Sequence, residues 1–210
     1  MPRPKSLTTV DLAAAALAVI DRDGLPALTM RAVAERLGMA TMALYRYVPD
    51  RQRLEILVAN AILDSIDVSL PPRTDWRERV AILLERARAA ISAHPAAVPL
   101  ALLHRQTSPA TTRWIEAMLT VLTEAGFTGR DRVIAQRVVV DFLLGFLQNE
   151  HYAALAGAGT AAMAELSAVD YPLLVETAAQ ARGMSADDEF RGGTELLVLG
   201  LSAQLSHRRG

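Results

Sequence analysis

The chain contains no cysteine. That excludes disulfides, thiolate zinc sites and cysteine nucleophiles, so the core must be built by packing alone. Aromatic residues are scarce, at 5% of 210 positions. The first residues, MPRPKSLTTVDL, have no apolar run before a small-residue cleavage site and do not read as a signal peptide. The longest uncharged stretches are broken by proline or rich in Gly and Ala, so no membrane span is expected. A soluble, cytoplasmic protein is the expectation. Sustained period-two alternation and internal repeats are also missing. So are HExxH, GxSxG, the phosphate loop and the dinucleotide fingerprint, which leaves an enzyme little to stand on. Glu150 and His151 are adjacent and would point about 100° apart on a helix, which makes no site. No metal and no cofactor are expected.

What is abundant is apolar: 51% of residues, with Ala and Leu dominant. That favours helices packed on helices and predicts an all-α fold. The net charge of −1 says little, but its distribution says more. Residues 1–53 carry eight basic groups (Arg3, Lys5, Arg22, Arg31, Arg36, Arg46, Arg51, Arg53) against five acids, a net of +3, and the remainder is −4. A basic head on an acidic body suits a protein that meets phosphate at one end.

Along the chain, a basic arm at 1–8 leads to Thr8 and Asp11, a capping-box-like start. Leu12, Ala16, Val19 and Ile20 recur at helical spacing until Asp23-Gly24. Thr29 can cap a second helix, and Gly38 ends it where a left-handed backbone is needed. A helix of about two turns is expected from Thr41 to Tyr47, then a break at Pro49-Asp50 and an amphipathic helix from Arg51. Beyond Leu70-Pro71-Pro72, with Asp75 as a possible N-cap, helices are predicted at roughly 75–93, 96–104, 109–125, 130–154, 171–182 and 187–207. Residues 155–168 read as a mobile Ala/Gly-rich segment. The expected division is a three-helix head at 1–50, a connecting helix at 51–70 and a helical-bundle ligand-binding and dimerisation domain at 71–210.

The stretch from Thr29 to Arg53 has what a helix-turn-helix needs: a short second helix, side chains that reach base edges, and groups for phosphate. Thr41, Met42, Tyr45 and Arg46 are candidates for the groove, where Arg pairs with guanine and methyl groups meet thymine. Thr29, Arg31 and Tyr47 are placed for backbone phosphates, and Arg51 opens a helix whose N-terminus favours an anion. The same spacing also suits ordinary packing, with Tyr45 and Tyr47 half-buried.

Leu37-Gly38-Met39, followed by Ala43-Leu44-Tyr45-Arg46-Tyr47-Val48-Pro49-Asp50-Arg51, resembles the signature of the tetracycline-repressor (TetR) family of transcriptional regulators. Arg51 stands where that pattern commonly has lysine and keeps the charge. Asp75-Trp76-Arg77, His94-Pro95, Glu124-Ala125-Gly126-Phe127, Phe142-Leu143-Leu144-Gly145-Phe146 and Tyr171-Pro172-Leu173 are similar to the body of its tetracycline-repressor subgroup. The resemblance implies a homodimer joined through helices at 130–154 and 187–207, a palindromic double-stranded DNA operator, and release by a small-molecule effector. Activation instead of repression, or a helical small-molecule-binding protein without DNA function, are the alternatives.

Candidate ligand contacts are Trp76, His104, Trp114, Met118, Phe142, Phe146, Asn149 and His151, although for each of them packing is the commoner role. The subgroup's metal-binding histidine falls near Ala101, its acidic helper near Asn149 and its drug-orienting asparagine near Leu83. Those departures argue against magnesium-tetracycline and for a more apolar effector.

Overall fold

The computed structural model describes residues 7–207, so the basic arm with Arg3 and Lys5 lies outside the described residues. Among them there is no strand. Helix α1 (Thr9–Asp23) opens on the capping box expected at its start. Thr8 Oγ1 accepts from the Asp11 amide at 3.2 Å, and Asp11 accepts from the Thr8 amide at 2.9 Å. Gly24, at φ 83°, closes the helix.

Helix α2 (Met30–Arg36) is capped by Thr29, whose Oγ1 accepts from the Ala32 amide at 3.1 Å. At its end the Met39 amide reaches the Ala34 carbonyl at 3.0 Å and the Gly38 amide reaches Glu35 at 3.1 Å. Those two bonds are a Schellman stop, which requires the left-handed backbone that Gly38 adopts at φ 67°. Helix α3 (Thr41–Leu44) is shorter than the expected two turns. Its N-cap, Ala40, has no side chain to hold the first amides, and Tyr45–Tyr47 continue as a turn. The tightening is visible in three-residue bonds from Arg46 to Ala43 and from Tyr47 to Leu44. Helix α4 (Arg51–Asp64) follows, capped by Asp50 through the Arg53 amide at 2.8 Å.

The remaining helices are α5 (Trp76–Ser92), α6 (Val98–His104), α7 (Pro109–Ala125), α8 (Gly129–Tyr152), α9 (Ala158–Ala164), α10 (Pro172–Ala181) and α11 (Ala186–His207). Asp75 begins α5 by accepting from the Arg77 amide at 2.9 Å. A short 3-10 turn, Pro95–Ala97, precedes α6 where one helix from 96 was predicted. The segment at 155–168 was expected to be mobile, but it contains α9, which packs against α10. Its alanines favour a helix once a neighbour covers one face.

The chain forms two compact units. Among the described residues, one comprises 7–69 together with Glu85–Ala117, and the other comprises Leu70–Leu84 together with 118–207. The divisions fall inside α5 and α7, so neither helix belongs to one unit alone. In the first unit α1 packs on α2 and α4, and α4 packs on α6. Leu12, Ala16, Ile20, Leu28, Val33, Leu44, Val48, Leu54 and Val58 are buried there. In the second unit Val80, Leu83, Met118, Leu122, Phe127, Val139 and Phe190 form the core.

Candidate nucleic-acid interface and ligand residues

The geometry of residues 41–51 follows from two buried anchors. Leu44 and Val48 are both fully buried, each stabilising the turn by about 1.5–3 kcal/mol relative to exposure. With those two held inward, their neighbours point outward. Met42 is 77% exposed, Tyr45 45% and Tyr47 44%, while Arg46 is also exposed and Thr41 half-buried. An isolated apolar side chain as exposed as Met42 is ordinary; Met42, Tyr45 and Tyr47 within six residues make a surface suited to contact.

Two helix starts flank this surface. Thr29 is exposed and accepts from Ala32, so its hydroxyl proton remains available to a phosphate. Arg31 is exposed and its Nε donates to Glu35 at 2.7 Å. Arg51 makes the same four-residue pair with Glu55 at 2.9 Å. Each pair uses Nε and leaves Nη donors for an anion. Arg36, Arg46 and Arg53 make no ion pair among the described residues.

The ligand candidates separate between the units. In the first, His104 ends α6 with Nε2 buried and unpartnered, and Trp114 is buried on α7. In the second, Met118 is fully buried. Trp76 lies edge-on to Phe127 at 6.2 Å, with the Arg77 guanidinium 4.9 Å from its ring. Phe142 stacks on Phe190 at 5.5 Å, and Phe146 meets Phe190 edge-on at 4.7 Å. Asn149 is exposed, and His151 is half-buried against Tyr152 at 4.4 Å. Sequence reasoning did not single out Phe190, nor Ser108 and Thr111, whose hydroxyl oxygens are buried without a partner. The signal for Ser108 was its place before Pro109, where it reads as a helix cap. Among the described residues no group of His, Cys, Asp or Glu is arranged to hold a metal.

Helices α8 and α11 also carry apolar side chains with no cover. Val133, Ile134 and Val138 on α8 are exposed, as are Leu196 and Leu199 on α11. A Cβ added at Gly145 on α8 or at Gly200 on α11 would meet nothing within 4 Å.

A short helix presented by two buried anchors, flanked by capped helix starts and arginines, defines a helix-turn-helix DNA-binding protein. The comparisons agree. The profile described as "Bacterial regulatory proteins, tetR family" matches residues 12–54, and "Tetracyclin repressor-like, C-terminal domain" matches 69–205. The class E tetracycline repressor protein of Escherichia coli is 30% identical over 212 residues, covering 97% of this chain and 94% of that protein. An HTH-type transcriptional regulator of Saccharopolyspora erythraea is 28% identical over 207 residues, covering 96% and 87%.

Among solved structures, a possible TetR family transcriptional regulator from Streptomyces coelicolor A3(2) superposes with a TM-score of 0.82 at 31% identity, over 93% of this chain and 99% of that one. BioQ with its natural double-stranded DNA operator superposes at 0.68 and 26% identity, over 94% and 99%. The chain belongs to the tetracycline-repressor family and is a ligand-responsive, DNA-binding transcriptional regulator. The relatives named here are regulators, not enzymes.

Proposed function

We propose that the protein is a repressor that reads an imperfect palindrome as a dimer and leaves it when a small organic effector binds. The outward face of residues 41–47, fixed by buried Leu44 and Val48, carries this reading. Thr41, Met42, Tyr45 and Arg46 read base edges, while Thr29, Arg31, Tyr47 and Arg51 hold phosphates. Residues 1–50 act as the head, 51–70 as the connecting helix and 71–210 as the ligand-binding and dimerisation domain. The uncovered apolar faces of α8 and α11 support a four-helix interface between two copies. Two heads about 34–36 Å apart would meet successive half-sites on one side of the duplex.

The candidates for effector contact are His104 and Trp114 in the first unit and, separately, Trp76, Met118, Phe142, Phe146, Asn149 and His151 in the second, and their mainly apolar character favours an effector other than magnesium-tetracycline. The protein works in the cytoplasm, beside its DNA. No helix among the described residues is long and apolar enough to cross a membrane.

The test is fluorescence anisotropy with DNA from the gene's own upstream region at low salt. Tyr45→Ala and Arg46→Ala should each remove about 1–3 kcal/mol of sequence discrimination per half-site with the dimer intact. Arg51→Ala should weaken all sequences and flatten the salt slope by about 0.9 per head. A folded, dimeric wild type that shifts no DNA sinks the reading.

A further inference from the structure

Helix α7 is 17 residues long, and at its start Ser108 and Ala110 are buried while Pro109 between them is exposed. Ser108 has the extended backbone of an N-cap, at φ −87° and ψ 126°, and is 1% exposed. An N-cap serine normally accepts from an amide of the first turn. Here Ser108 Oγ has no partner, so it does not cap. Pro109 has no N–H to satisfy, which leaves the Ala110 and Thr111 amides without a side-chain acceptor. Ala110 is itself 4% exposed, so bulk water has little access. Thr111 Oγ1 and His104 Nε2 are likewise buried and unpartnered. Three orphaned polar side chains thus fall within an eight-residue span of one unit, and that span includes a helix start, which carries partial positive charge.

We propose that the start of α7 is an oxygen-binding subsite that anchors the effector through a carboxylate or comparable oxyanion on an otherwise apolar skeleton. Ser108, Thr111 and the Nε2–H tautomer of His104 donate to that oxygen group together with the first-turn amides. The subsite deepens the proposed function by naming the effector's chemical class. A buried group that lacks its partner in the empty protein costs stability, and it is retained where a ligand supplies the partner.

The experiment uses full-length protein, wild type and the variants Ser108→Ala, Thr111→Val and both together. Thermal melting is followed alone and with 2-naphthoate, 9-anthroate and 1-pyrenecarboxylate, each beside its methyl ester, in magnesium-free buffer. Without ligand the variants should melt at or above wild type, because the hydroxyls serve no bond within the fold. At least one carboxylate should bind wild type tenfold or more tightly than its ester, and the double variant should lose that preference. Variants that melt below wild type would show hydroxyls held by a structural water or an internal bond, and would overturn the proposal. Equal binding of acid and ester, or binding of neither across all three pairs, would overturn it as well. Carboxylate preference in a protein that shifts no DNA would retain this subsite and refute the regulator reading. DNA binding without carboxylate preference would do the reverse.

Discussion

Replacing Gly38 by alanine isolates the conformational cost of the turn that aims the DNA-reading face. Gly38 sits at φ 67°, and a Cβ built there meets nothing within 4 Å. Sterics with neighbours therefore contribute nothing, and the whole penalty is the residue's own backbone. An alanine in the left-handed region costs about 1–2 kcal/mol. Against that, alanine restricts the unfolded chain and returns about 0.4–1 kcal/mol. The expected net loss is about 1 kcal/mol, or a melting temperature about 2–4 °C lower for a chain of this size.

Asparagine tolerates the left-handed region better, so Gly38→Asn should lose less than alanine does. The assay is urea unfolding at one fixed protein concentration, because a dimer's apparent stability depends on it. DNA affinity is then read at a temperature where all three proteins are folded. If Asn is as damaging as Ala, the cost lies in space and not in φ. If Ala equals wild type, the Schellman stop at Met39 and Gly38 contributes nothing, and the account of the turn is wrong.

Three further outcomes follow from other parts of the chain. Thr8→Ala removes one half of the capping box on α1 and should cost about 1 kcal/mol in urea unfolding; no change would mean the box is idle. The Arg77 amide, together with the Arg77 side chain, holds the Asp75 carboxyl below its ordinary value. A depressed folded pKa adds stability above the unfolded value near 4 and loses it as pH falls through the folded value. Asp75→Asn should therefore narrow the gap in melting temperature between pH 7 and pH 3, and an unchanged gap would refute that link. Leu196→Ser and Leu199→Ser should each weaken the dimer in sedimentation by 100-fold or more, since the proposed symmetric interface would bury each leucine twice, at about 1.5–3 kcal/mol per copy. A dimer of unchanged affinity would move the interface off α11.

The sequence was most legible where a local bond dictates a boundary. Thr8 with Asp11, Gly24, Gly38 and Asp75 mark helix ends in the sequence and close or open helices in the structure through bonds their residue types allow. It was less legible where the outcome depends on what lies across space. Nothing local distinguishes α9 from a loop, because its alanines become helical only with α10 beside them. Tyr45–Tyr47 have acceptable helix propensity, yet α3 stops at Leu44 because its start is uncapped and Val48 must turn inward. The buried oxygens of Ser108 and Thr111 were illegible for the same reason. A Ser-Pro pair reads as an ordinary cap, and only the structure reveals that the cap bond is missing.

That missing bond lies in the same compact unit as the proposed DNA-reading face. Within this unit the 85–117 segment holds helix α1 and the α4 segment at several points. His94 pairs with Asp21 of α1 at 3.0 Å, Arg113 with Asp64 of α4 at 2.8 Å, and Arg86 with Asp67 just beyond α4 at 2.9 Å. All three pairs are substantially exposed, and surface pairs of this kind are too weak to fix these helices alone. The stronger grip is apolar, from α1 against the 95–97 turn and α4 against α6. A ligand oxygen seated at residues 104–111 would act one helix away from α4, with no need to cross into the second unit. For the proposed subsite to control DNA release, the effector must bind the arrangement that cannot grip DNA more tightly than the one that can. DNA must then weaken effector binding by the same factor, a reciprocity that titration of the carboxylate probes with and without bound operator would measure.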